Sequence, residues 1–170
     1  MKIQNVLGLK TISWDTEKQK FISPARPNFI WTQDGLAEAK CILDKHNPPD
    51  EFCTCGIYAT FDWSIAKGYD RRFLNVMFLV EAGGKTILHD YGFRSEQLRF
   101  VLAIRQNNPI YRLATMQAAD FYSLPIVDKD TALTIMDIQN VHLLNWYDPV
   151  QLGRQQAINL WRMKNEYNSA

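Results

Sequence analysis

Apolar residues recur along the chain with two different spacings, and the change of spacing divides the sequence into two parts. Leu98, Phe100, Leu102 and Ile104 alternate at period two, which is typical of a strand with one buried face. Shorter apolar runs predict further strands over residues 6–14, 20–23, 55–60, 73–80 and 85–91. The last third predicts helices over residues 114–124, 131–138 and 148–165. Strands early and helices late indicate an α+β fold with an antiparallel sheet and C-terminal helices.

Turn and cap residues predict where these elements begin and end. The pair Gly83-Gly84 predicts a hairpin turn between two strands, and Gly92 predicts a bend before a third. Pro24 to Pro27 should interrupt the sheet after residue 23, because proline cannot donate to a strand ladder.

Aspartates mark the predicted helix starts. We expect Asp34 to cap a helix that reaches residue 43 and ends before Pro48. Asp62 should cap a short helix ending at Gly68, and Asp130 should cap the helix over residues 131–138. Asp148, followed by a proline, should open the last helix.

Composition restricts the class of protein. The chain has 170 residues, 46% of them hydrophobic and 12% aromatic, so we expect one domain over residues 1–170. Residues 1–104 form its β-rich part and residues 105–170 a mainly helical extension. The formal net charge of +1 lacks the basic excess of nucleic-acid binders, which places nucleic acid last among partners. No signal peptide or apolar stretch of membrane-spanning length is visible, so we expect a cytoplasmic protein without membrane association.

All three cysteines and one of the three histidines fall within a 15-residue window. Cys41, His46, Cys53 and Cys55 follow the pattern C-x4-H-x6-C-x-C, and three thiolates with one imidazole are ligands for tetrahedral Zn²⁺. Four protein ligands close the coordination sphere, which predicts a structural zinc ion that staples the loop. The alternatives are three buried free cysteines or a redox pair at Cys53 and Cys55.

Two blocks of this sequence resemble a family of small, largely uncharacterised bacterial and phage proteins. One block runs from Cys41 through His46-Asn47-Pro48 to the segment C-x-C-G-I-Y-A at residues 53–59, with Trp31 ahead of it. The other contains His89 and the turn Gly92-Phe93-Arg94. The resemblance covers about residues 8–104. It implies a zinc site within a single fold and names no reaction.

Two polar groups are further candidates for ligand or partner binding. His89, Asp90 and Arg94 flank the predicted bend, where they could bind an anion or simply form a solvated hairpin end. Lys67, Arg71 and Arg72 form a small basic cluster that could also bind a ligand or partner, although such a cluster is typical of a solvated loop.

No phosphate-binding loop, nucleophile elbow or paired-carboxylate motif is present, so no catalytic residue is assigned. We therefore expect a zinc-stabilised, non-enzymatic binding or adaptor protein that contacts another protein. A phage-encoded inhibitor of a host defence protein is a narrower form of this hypothesis. The alternatives are a binder of a small anionic ligand such as a nucleotide, using Arg94 and His89, and an enzyme of unrecognised type.

Overall fold

Eight strands in one mixed sheet and three helices make up the computed structural model, which describes residues 6–15, 20–23, 26–43, 46–68 and 74–144. The strands are β1 Leu7–Asp15, β2 Lys20–Ser23, β3 Arg26–Ile30, β4 Leu36–Glu38, β5 Ile57–Thr60, β6 Leu74–His89, β7 Gly92–Ile104 and β8 Ile126–Val127. The helices are α1 Trp63–Lys67, α2 Pro109–Tyr122 and α3 Lys129–Leu144. All strand pairs are antiparallel except the short parallel pair of β7 and β8. The predicted α+β class with an antiparallel sheet is confirmed.

The long hairpin of β6 and β7 is the centre of the sheet, and its course corrects one prediction. Residues 83–84 do not form a hairpin turn, because β6 continues through them to residue 89. The parts of β6 before and after the two glycines both pair with β7. Gly84 has a φ of +70°, and the pairing register shifts between Gly83 and Thr86, as in a β-bulge. The chain reverses instead at Asp90 and Tyr91. The glycines therefore bend a strand where a turn was expected.

The helix predicted from Asp34 is also wrong. Residues 36–38 form β4, in register with residues 97–99 of β7, and the Ala39 N–H donates to the Glu96 carbonyl. The indole of Trp31, just before this segment, stacks on Phe100 of β7 with centroids 3.9 Å apart. Sheet pairing and aromatic packing thus outweigh the local helix preference of leucine and alanine.

Other element boundaries agree with the sequence more closely. The helix α1 has Asp62 as its N-cap and Gly68 as its C-cap, as predicted. The helix α2 begins at Pro109 rather than at residue 114, and the Asn108 side chain caps it by accepting from the Ile110 N–H. At the start of α3 the capping carboxylate belongs to Asp128, which accepts from the Thr131 N–H, and not to Asp130 as predicted.

Proline does not exclude residues 26–27 from the sheet, because they lie in β3 at its outer edge, where the missing N–H costs no ladder bond. The helix predicted over residues 148–165 lies outside the described residues.

The sheet separates two apolar clusters. On one side α2 contributes Tyr122, whose ring meets Phe100 edge-on, and Phe100 stacks on Phe78 with centroids 4.2 Å apart. On the other side Met136 of α3 packs with residues such as Leu79. None of the helices in the described ranges is long and apolar enough to cross a membrane.

Candidate metal centre

The cysteine- and histidine-bearing segment, which we call the metal loop (residues 39–56, of which 44–45 are not described), joins two strands on one side of β7. Strand β4 pairs with residues 97–99 of β7, and β5 pairs with residues 92–95 next to it. The ends of the loop are therefore held at neighbouring positions on a rigid strand. Pro48 and Pro49 are buried beneath the loop, so its path is packed against the protein.

The loop brings four ligand atoms together. The sulfur atoms of Cys41, Cys53 and Cys55 and a ring nitrogen of His46 all lie within 4.8 Å of one another. The His46 Nε2 is 3.1 Å from the Cys55 Sγ. Two sulfur ligands of a tetrahedral zinc ion are about 3.8 Å apart, given Zn–S bonds of about 2.3 Å, so these spacings suit one metal ion. None of the three cysteines forms a disulfide, and the four residues could hold a metal.

The candidate ligands lie close together in a partly buried environment. Cys41 and Cys55 are buried, whereas His46 and Cys53 are half-buried. Burial raises the pKa of the Cys55 thiol, a hydrogen bond from the Asp50 backbone lowers it, and the neighbouring Cys53 and Cys41 raise it again. Crowded buried thiols resist ionisation on their own, and a divalent cation reverses this by stabilising every thiolate at once.

A second group of contacts fixes the loop to the sheet. Arg94 of β7 is buried, with 5% of its surface exposed, and its Nη1 donates to the carbonyls of Cys53 and Cys55. The Tyr58 hydroxyl of β5 donates to the Thr54 carbonyl at 3.0 Å. One arginine and one tyrosine thus hold the backbone around two of the four candidate ligands. Such contacts orient the ligands of a metal site.

His89 completes this group from the end of β6. The Arg94 Nε donates to the His89 Nε2 at 3.0 Å, so that nitrogen carries no proton and the ring is neutral, with its proton on Nδ1. Partial burial lowers the pKa of His89, and the adjacent Arg94 lowers it further, against a smaller raising effect from Asp90. The geometry and the pKa direction therefore agree on a neutral imidazole.

A groove of about 840 Å³ lies between the metal loop and the β6–β7 turn. Residues 51–54 of the loop form one wall, and residues 89–94 form the other. Its remaining surface comes from residues 9–11 of β1, residues 56–60 and Ile65 of α1. The groove thus joins the candidate metal centre to the polar hairpin end, two features far apart in the sequence.

The other predicted binding residues differ in whether they line the groove. His89, Asp90 and Arg94 meet Cys53 at the groove, but Arg94 bonds to His89 and the loop, not to Asp90. Lys67 is exposed at the end of α1 and does not line the groove. Arg71 and Arg72 lie outside the described residues.

Sequence reasoning missed the anchoring role of Arg94 and the part played by Tyr58. The order of the two blocks, with C-x-C-G-I-Y-A before G-F-R, was a signal that they belong to one site. The contact itself could not be predicted from that order, because Arg94 lies 41 positions from Cys53 along the chain.

No protein-family model, curated protein or solved structure matches this chain.

Proposed function

We propose that Cys41, His46, Cys53 and Cys55 bind one structural zinc ion, and that the protein is a non-enzymatic binding or adaptor protein acting on a protein partner. The observation that carries the metal assignment is the set of three thiols and one imidazole within 4.8 Å. Sulfur-rich tetrahedral sites favour zinc over hard cations such as Mg²⁺ or Ca²⁺, which prefer oxygen.

A structural role fits better than a catalytic one. Catalytic zinc keeps one position for water or substrate, whereas four protein donors fill a tetrahedral ion. The groove does join His89 and Arg94 to the metal loop, as an enzyme would require. An open coordination position, however, would need one of the four donors to leave the metal. The enzyme hypothesis therefore ranks below binding.

The metal loop also carries apolar side chains that face solvent. Phe52 is 98% exposed, Ile42 77% and Leu43 61%. These three residues belong to one loop, and large exposed apolar residues that lie together are typical of interaction surfaces. We infer that zinc shapes this loop for a partner. The narrower proposal, a phage-encoded inhibitor of a host defence protein, rests on the family resemblance.

Metal analysis by mass spectrometry tests the first half of the proposal. We expect one zinc per chain in the purified protein. The Thr54→Ser control, which also introduces a serine but removes no candidate ligand, should keep the zinc. Cys53→Ser should lose the zinc and melt at a lower temperature, because metal binding is coupled to folding. Wild-type protein without zinc, or Cys53→Ser with full zinc and unchanged melting, would contradict the assignment.

Affinity capture from host lysate tests the second half. The wild-type protein and an Ile138→Ser control, altered at an exposed residue of α3, should each retain the same partner at a fixed stoichiometry. The Ile42→Ser/Leu43→Ser double variant should retain less of it. No stoichiometric partner for the zinc-loaded wild-type protein would count against an adaptor role.

A further inference from the structure

The groove beside the metal loop has aromatic side chains on its two walls and its floor. Phe52 stands on the loop, Tyr91 projects from the β6–β7 turn with 59% of its surface exposed, and Tyr58 lies on β5 between them with 38% exposed. The rings of Tyr58 and His89 are parallel within 12°, with centroids 6.4 Å apart. The groove therefore offers aromatic faces to whatever enters it.

The cations that line the groove are already bonded inside the protein. The Lys10 Nζ donates to the Tyr58 carbonyl at 2.7 Å. The Arg94 guanidinium is buried and donates to the carbonyls of Cys53 and Cys55 and to His89. Two cationic lining groups are thus engaged with backbone oxygen atoms of the groove itself.

The carboxylates of the groove, unlike its cations, are not bonded to the protein in the described part of the chain. Glu51 and Asp90 are exposed, one on each wall, and neither forms a hydrogen bond or ion pair with another residue in the described part of the chain. His89 between them is neutral. Lys10 and Arg94 keep their positive charges when they donate to neutral carbonyl oxygens, so the four charges of the lining balance. The two carboxylates are the charged groups of the lining that have no hydrogen bond within the described part of the chain.

We propose that this groove binds a basic side chain, arginine in preference to lysine, presented by a segment of the protein partner. Aromatic faces attract cations, and the two rim carboxylates complement the same charge. Arginine is preferred because its planar guanidinium stacks on an aromatic ring while it bonds to a carboxylate. This inference rests on the proposed function, since it assumes a protein partner.

The same features disfavour the anionic ligand that the sequence offered as an alternative to a protein partner. A nucleotide phosphate would have to compete with backbone carbonyls for Lys10 or Arg94 and approach the two carboxylates. The volume of about 840 Å³ exceeds one side chain, so the groove also has room for the residues flanking the arginine.

Peptide binding to the zinc-loaded, full-length protein tests the inference. The probes are fluorescein-labelled nonapeptides with randomised flanks and a fixed central arginine, lysine, citrulline, leucine or glutamate. By fluorescence anisotropy, we expect the arginine pool to bind about 5- to 10-fold more tightly than the citrulline pool, which has the same shape without the charge. The glutamate pool should bind most weakly.

Variants of exposed groove residues assign the effect to this site. Phe52→Ser should weaken arginine-peptide binding about tenfold, as for an aromatic anchor, and Glu51→Gln/Asp90→Asn should reduce it to the citrulline level. Phe121→Ser is the matched control, because Phe121 is an exposed phenylalanine of α2 outside the groove lining. It should leave binding unchanged.

Three outcomes would overturn the inference: no binding by any pool, glutamate binding as tightly as arginine, or unchanged affinity in Phe52→Ser. The same variants separate this inference from the function on which it rests. A partner captured equally well by Phe52→Ser and Glu51→Gln/Asp90→Asn would leave the adaptor function standing and refute the groove as its basic-residue site.

Discussion

The contact between Arg94 and the metal loop predicts that one residue outside the candidate ligand set controls metal affinity. Arg94→Met keeps the unbranched stem of the side chain and removes its donors. The carbonyls of Cys53 and Cys55 and the His89 Nε2 then lose the hydrogen bonds that the guanidinium provided. Because Arg94 is 5% exposed, water replaces these bonds poorly.

The expected size of the effect follows from two lost donor atoms: Nε, which bonds to His89, and Nη1, which is shared between two carbonyls and is counted once. Hydrogen bonds from a charged group contribute about 1.5–3 kcal/mol each, so the free energy of unfolding should fall by about 3–6 kcal/mol. Part of this loss should appear as weaker zinc binding. Removing a group that orients metal ligands typically lowers affinity about 10- to 100-fold.

The assay combines urea unfolding at saturating zinc with competition for zinc against a chromophoric chelator. Arg99→Met is the control, because Arg99 lies on the same strand and is exposed; its effect should stay within about 0.5 kcal/mol. Arg94→Lys should fall between the wild type and Arg94→Met, since lysine keeps the charge without the planar fork. If Arg94→Met bound zinc as tightly as Arg99→Met and unfolded at the same urea concentration, the anchoring role would be refuted.

Two further predictions concern the surroundings of this contact. Gly56→Ala should lower the unfolding free energy by about 1–3 kcal/mol and weaken zinc binding, because Gly56 has a φ of +113° and a new Cβ would lie 3.1 Å from Pro49 and 3.2 Å from Arg94. Gly68→Ala, at an ordinary φ of −74° with room for a Cβ, is the control, and equal urea midpoints for the two variants would disprove the strain argument. The lowered pKa of His89 means that its neutral form stabilises the fold fully above pH 6.5, and that this contribution is lost as pH falls from there towards the folded-state value. Urea unfolding at pH 7.5 and 5.5 should therefore show a smaller loss of stability in His89→Gln than in the wild type; equal losses would show that His89 is not the group responsible.

Much of this protein could be predicted from the sequence wherever a signal is local. The hydrogen bonds that cap α1 join Asp62 to residues two and three positions away, so the cap can be predicted from a short stretch of sequence. The α+β class follows from apolar spacing in the same way. The four candidate metal ligands lie within 15 residues, which is why their chemistry was visible before their positions were known.

The tertiary structure decided what depends on distant partners. Local preference cannot tell a hairpin turn from a bulge at Gly84, because the choice is made by β7 pairing with both halves of β6. Likewise, residues 36–38 are a strand only because residues 97–99 lie beside them. Arg94 reaches carbonyls 41 and 39 positions away, and the groove lies between the metal loop that it holds and the β6–β7 turn. The sequence thus determined which ligand atoms are available, and long-range pairing determined what surrounds them, since hydrogen bonds between remote segments leave no periodic pattern in either segment alone.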